Sequence, residues 1–199
     1  MNYSKKYKGK YNTKSTRLKG WNYAANGIYF ITICTKDKYP FFGNIKNEKM
    51  VLNEIGKIAE KYWLEIPDHF SFVILDEFVV MPNHVHGILV INKNKNNGRD
   101  VAMNNGRDIA MQRLYVGDNL NMSKISPKKY SLSSIIRSYK SICTKTINKI
   151  QNKIFFTWQP KFHDHIIRNK HELKRIRKYI KYNHLKWQNN DYYIFKKML

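Results

Sequence analysis

The chain is short of cysteine, of long apolar runs and, over defined stretches, of acid. Its 199 residues include two cysteines, Cys34 and Cys143, which make one pair at most, too little for a disulfide framework or a cysteine-based zinc site. A reducing cytoplasm is the expected home. No apolar run approaches the roughly 18 residues of a membrane span. The opening "MNYSKKYKGKYNTKSTRLKGW" has no apolar segment behind its charges, so no secretory signal is expected. Acid is absent from residues 1–20 and 121–150, which carry seven Lys/Arg each, and residues 161–199 hold eleven bases against three acids. Residues 21–120 hold eleven of each sign and cancel, so the net charge of +23 belongs to particular segments. An AT-rich codon bias explains abundant Lys but does not remove Glu. Acid-poor segments around a neutral middle are the footprint of a polyanion partner, with nucleic acid the expected one. A basic membrane surface would require an amphipathic Lys/Arg helix with bulky apolar residues, and the helices below spend their apolar faces on a core.

At this length one domain spanning 1–199 is expected, with a basic arm at 1–20. "GIYFITICT" (27–35) is β-branched and aromatic and reads as a strand. "VLNEIGKIAEKYWLEI" (51–66) has helical spacing, with Pro67 following its last turn. "FSFVILDEFVVM" and "HVHGILVI" meet at Pro82 and Asn83, which suit the two central positions of a turn, and predict a hairpin. A polar loop insert (93–130) with tandem octapeptides "NNGRDVAM" and "NNGRDIAM" follows and receives no function. Ser131 is the expected N-cap of a helix to Ile150, "IFFTW" (154–158) reads as a strand, "DHIIR" (164–168) as a further short one, and residues 171–187 as a last helix. The sum is an α+β, ferredoxin-like split βαβ fold: an antiparallel sheet with helices on one face, its other face open, plus an appended C-terminal helix.

The stretch "MPNHVHGILVI" sets two imidazoles in an apolar strand. Strand side chains alternate, so His84 and His86 share one face, about 7 Å apart along the chain, and can close on one metal ion. Neutral imidazoles plus an oxygen ligand suit a divalent ion that keeps open positions. In the last helix Tyr179 and Asn183 are four apart and share a face. Tyr179 lies between the apolar stripe of Leu173, Ile176 and Ile180 and the basic side, a position that by itself reads as a boundary tyrosine with a buried ring and a wetted hydroxyl.

Four blocks, "VVMPNHVHGIL", "SLSSIIRSYKS", "WQPKFHDHIIRN" and "ELKRIRKYIKYNHLKW", in that order over roughly residues 20–187, resemble the REP-associated tyrosine transposases of the HUH single-tyrosine group. The resemblance implies that His84 and His86 are the metal-binding pair for Mg²⁺ or Mn²⁺, that Tyr179 is the nucleophile, and that Asn183 sits where the family places its third ligand. It also implies a cytoplasmic, nucleoid-associated protein, monomeric or homodimeric, acting on single-stranded or hairpin DNA of REP-like elements. The family usually reads Asn-Pro after its tyrosine helix; here His184 follows Asn183 and is an alternative ligand.

The implied reaction is cleavage of single-stranded DNA by transesterification, leaving a 5′-phosphotyrosine link and a free 3′-OH. One phosphodiester replaces another, so no nucleotide fuel is needed, and no "GxxxxGK[ST]" motif occurs. Arg137, Lys140, Arg168 and Arg177 are candidate phosphate contacts, and Trp187, Tyr192, Tyr193 and Phe195 candidate stacking partners for bases. Three other readings stay open: a metal held instead by His163 and His165 of "FHDH", a non-catalytic single-stranded nucleic-acid binder on the same sheet, and a metal hydrolase with an HxH strand motif.

Overall fold

The computed structural model describes residues 17–96, 127–151 and 155–187. Its centre is a four-stranded antiparallel sheet built from β1 (Gly27–Cys34), β4 (Val73–Met81), β5 (His84–Ile91) and β6 (His163–Ile167), in the order β4-β5-β1-β6. Each strand-helix-strand unit straddles a strand of the other unit, which is the split arrangement expected from the sequence. A two-stranded hairpin, β2 (Gly43–Lys46) and β3 (Lys49–Leu52), follows β1. The helices are α1 (Glu54–Leu64), α2 (Ile66–His69), α3 (Leu132–Ile150), α4 (Lys170–Lys181) and α5 (Asn183–Lys186).

Alternation along β1 and β5 divides the interior into two layers. Tyr29, Ile31, Ile33, Val85, Leu89 and Ile91 face α1 and α3 and form the main core with Ile55, Ala59 and Trp63 and with Leu132, Ile135, Tyr139 and Ile147. Phe30, Ile88 and Ile167 face the other way and pack with Leu173, Ile176, Tyr179 and Ile180 of α4. The second sheet face is therefore covered by the last helix rather than open.

The hairpin turn is as expected: Met81 and His84 are paired across Pro82 and Asn83. Helix α3 begins at the expected cap, the Ser131 side chain accepting from Ser134 N–H, and Tyr139 Oη ties it to α1 by donating to Ala59 O at 3.0 Å. Three segments differ from expectation. Val51 and Leu52 belong to β3, because Asn53 is extended and caps α1 through Gly56 N–H at 2.9 Å. Pro67 does not end that helix but sits in the first turn of α2, where its missing N–H costs nothing. Residues 155–158 form no ladder beyond an isolated bridge between Thr35 and Trp158. Phe156 N–H donates to Asn148 Oδ1 at 2.8 Å and its carbonyl accepts from Asn148 Nδ2 at 3.0 Å, so one side chain satisfies the backbone that a strand partner would have used. The fourth strand is β6 instead.

Gly87 lies between the two layers' anchors. A Cβ placed there would stand 2.2 Å from Trp63 Cζ2, and Trp63 is fully buried against Tyr139. The ring occupies the space that a side chain would need. Gly87→Ala should lower stability by about 1–3 kcal/mol, the usual range for overpacking a filled core, as read from urea unfolding midpoints. An unchanged midpoint would mean that the ring does not rest on this glycine.

Candidate active site

His84 and His86 project from β5 onto the α4 face, with ring centroids 4.4 Å apart. Both are buried. Burial lowers the His84 pKa to about 4, helped by the nearby Lys38 charge and opposed by a hydrogen bond with the Asn183 side chain. Burial, then His84 and His163, hold His86 well below the ordinary imidazole range. Both rings are thus neutral at pH 7, the form that can give a lone pair to a metal.

Tyr179 comes over the pair from α4. Its hydroxyl lies 3.3 Å from His86 Nε2, and its ring stands edge-on to Phe30 with centroids 6.1 Å apart. Burial raises the phenol pKa, and a hydrogen bond with the Asn183 side chain partly offsets this. The last helix was expected to run unbroken from 171 to 187, but it stops at Tyr182 (φ −103°, ψ 15°) and restarts as α5. Asn183, the first residue of that short turn, is buried and reaches both His84 and Tyr179. His184 is only partly buried. Two imidazole nitrogens and one amide side chain therefore converge beside a phenol, a neutral N,N,O donor set that could hold a divalent ion. Among the described residues no group of three or more His, Cys, Asp or Glu is placed to hold one; the third donor of this set is the Asn183 amide.

Two polar ties fix α4 over the sheet. At its start Asn169 caps the helix through Glu172 N–H at 2.8 Å, and Glu172 carboxylate oxygens meet His165 Nε2 at 2.7 Å and accept from Arg168 N–H at 2.9 Å. Farther along, Arg177 Nε donates to Asp76 Oδ1 at 2.8 Å, with a second bond from its Nη2 to Oδ2. Asp76 sits where the β4-β5 register slips by one residue between Leu75 and Phe78. That bulge lets Asp76 face the helix while Phe78 keeps its contact with Trp63. His165 is thereby engaged as a tether to the helix. His163 lies on the same face as the pair, across Thr32 from His86.

Of the candidate phosphate contacts, Arg137 and Arg168 are exposed. Arg177 is bound to Asp76, and Lys140 Nζ donates to the carbonyls of Gln159 and Pro160, its pKa lowered by burial to about 8. Both of these cations are already engaged within the fold. Trp187 lies 6.1 Å from the His84 ring, centroid to centroid; Tyr192, Tyr193 and Phe195, the octapeptides and residues 1–16 of the arm fall outside the described residues. Sequence reasoning missed Thr32, whose hydroxyl lies 2.8 Å from His86 Nδ1, and Asn83, whose Oδ1 lies 2.7 Å from His84 Nδ1. The β1-β5 register would have been needed to find Thr32; Asn83 was read only as a turn residue.

The fold and site define an α+β protein with a buried histidine pair and a tyrosine on one sheet face. No protein-family model matches the chain. It is 34% identical over 188 residues, 94% of this chain and 96% of the relative, to a protein of Haemophilus influenzae named "Uncharacterized protein", and it belongs to the same family. Two solved structures are also similar to it. One is a REP-associated tyrosine transposase bound to a REP hairpin, with 17% identity, a TM-score of 0.48 and coverage of 94% of this chain and 74% of that one. The other is a candidate transposase from Deinococcus radiodurans R1, with 11% identity, a TM-score of 0.41 and coverage of 84% and 96%. Among the described residues no helix is long and apolar enough to cross a membrane.

Arg177 holds the Asp76 carboxyl below its ordinary range. A depressed folded pKa adds stability that is present above the unfolded value, near 3.9, and is lost as pH falls through the folded one. Asp76→Asn should therefore be less stable than the parent at pH 6, and the gap should close below about pH 4. The Arg177 side chain is 50% exposed, so solvent screening limits the gap to about 1 kcal/mol. Urea unfolding as a function of pH checks this; a gap that persisted at low pH would assign the loss to packing.

Proposed function

We propose that this protein is a metal-dependent, HUH-type single-strand DNA transesterase that cleaves and rejoins hairpin-associated DNA through Tyr179. The observation that carries the reading is the 3.3 Å approach of the Tyr179 hydroxyl to His86 Nε2, with the buried Asn183 side chain near enough to bear on the titration of both Tyr179 and His84. The four sequence blocks and the acid-poor segments support the same reading.

His84, His86 and Asn183 would hold Mg²⁺ or Mn²⁺. When bound, the ion supplies Lewis-acid stabilisation of charge on the phosphate and the departing oxygen, and the uncharged ligands leave its dication undiminished. Tyr179 provides the attacking oxygen. A phenol, with a pKa near 10 in water, is further protected by burial, so the proton must leave as the bond to phosphorus forms. The O–P bond to Tyr179 forms, the P–O3′ bond breaks, and the 3′ oxygen takes up a proton. The products are a 5′-phosphotyrosine and a free 3′-OH, and rejoining is the reverse. Phe30 and the α4 ties keep the phenol over the histidines, and exposed Arg137 and Arg168 are available to the strand's phosphates.

Incubation with Mn²⁺ and a library of hairpin-bearing single strands of randomised sequence should give an SDS-stable adduct. It should retain a 3′-end label and release a 5′-end label, because the downstream fragment is the one held. Tyr179→Phe should abolish the adduct while changing DNA affinity less than about threefold. Binding without any adduct would favour a non-catalytic binder, and cutting without an adduct a hydrolase. Affinity for single strands should also drop roughly tenfold or more between about 50 and 200 mM salt, measured by fluorescence anisotropy; a flat response would remove the phosphate-contact reading.

A further inference from the structure

The side chain behind the first histidine is itself held from behind. Asn83 is buried in the hairpin turn. Its Nδ2 donates to Lys38 O at 2.9 Å, which fixes the amide so that Oδ1 points the other way. That oxygen lies 2.7 Å from His84 Nδ1. A carbonyl oxygen can only accept, so the hydrogen sits on Nδ1 and the lone pair is left on Nε2.

The anchor is built with some care. Asp37 and Lys38 have φ of 53° and 56°, a left-handed pair without glycine, a conformation that persists only when surrounding bonds impose it. Lys38 N–H donates to Thr35 O at 3.2 Å and Tyr39 N–H to Lys36 O at 3.1 Å. Thr35, fully buried, donates its N–H to Asn83 O at 2.9 Å, and its hydroxyl lies 3.0 Å from the same oxygen and 2.7 Å from Tyr39 O. The 35–39 turn and the 82–83 turn are thus one hydrogen-bonded unit, and its outlet is the His84 ring.

We infer that Asn83 is a positioning residue that fixes His84 as the Nδ1–H tautomer and aims its Nε2 lone pair into the tyrosine site. The consequence for metal binding rests on the proposed function, but the tautomer does not. Partners of this kind normally change metal affinity by about 10- to 100-fold when removed. A protein free to populate the other tautomer must reset it before Nε2 can act as a ligand.

The tautomer is read directly by long-range ¹H–¹⁵N correlation spectra of the metal-free protein, the His84 signals being those lost in His84→Gln. In the parent, His84 should show the Nδ1–H pattern at pH 7; an Nε2–H pattern would overturn the inference without any variant. Asn83→Leu, which offers no acceptor, should bring in the Nε2–H form and weaken Mn²⁺ binding by about 10- to 100-fold in titration calorimetry. Asn83→Asp keeps an acceptor and should restore the Nδ1–H pattern. If Asn83→Leu, folded by circular dichroism, kept the parent pattern, Asn83 would not be the group that sets it. If the pattern changed as expected and yet the parent bound no Mn²⁺, the positioning role would stand and the metal-dependent function would fall.

Discussion

A phenol can be kept over an imidazole by a surface helix only if that helix can neither roll nor slide, and here both movements are blocked. Rolling is opposed by the seam of Phe30, Ile88, Ile167, Ile176 and Ile180. Sliding is opposed by two polar ties to opposite edges of the sheet, His165 with Glu172 on β6 and Asp76 with Arg177 on β4. Neither tie is strong alone, since Arg177 is exposed and His165 and Glu172 are only partly buried. Their placement matters more than their strength, because bonds at separate points along one helix fix its direction. The central strands then present Thr32, His84 and His86 beneath the phenol through their register alone.

The bulge in β4 belongs to the same constraint. Without the extra residue between Leu75 and Phe78, alternation could not give the helix a carboxylate and give Trp63 a phenyl ring from adjacent parts of one edge strand. Gly87 resolves the matching conflict on β5. It places no side chain toward the main core, so Trp63 packs against the strand between two residues that face the site. The unusual composition of "HVHGIL" thus has two causes: the imidazoles answer to one layer and the glycine to the other.

These features set what was legible in advance. The hairpin, α1, α3 and the shared face of His84 and His86 follow from alternation and caps, which are local signals. Residues 154–158 misled because apolar character reports burial and says nothing about pairing; Phe156 is buried among Phe41, Phe42 and Trp158, with Asn148 serving its backbone. The fourth strand was harder to see because "HDHII" carries two histidines toward the helix side and a buried Asp164 toward Arg17. Tyr179 and Asn183 were expected together on an unbroken helix; they do meet, but across a break at Tyr182. The free charge was the least legible quantity, since no spacing rule reveals that Lys140 is spent on two carbonyls or Arg177 on a carboxylate.

Burial acts on the site's groups in opposite senses. It disfavours the charged form of both imidazoles and of the phenol, which in the proposed reaction would suit the histidines as ligands and hinder the tyrosine as a nucleophile. In that proposed reaction a cation at position 183 would favour the phenolate but repel a metal, and a carboxylate would oppose both the phenolate and the phosphate. Asn183 does neither. Its amide acts on Tyr179 in the sense that favours ionisation, acts on His84 as well, and adds no net charge. A neutral side chain at that position is what a tyrosine attack on a polyanion beside a cation would demand.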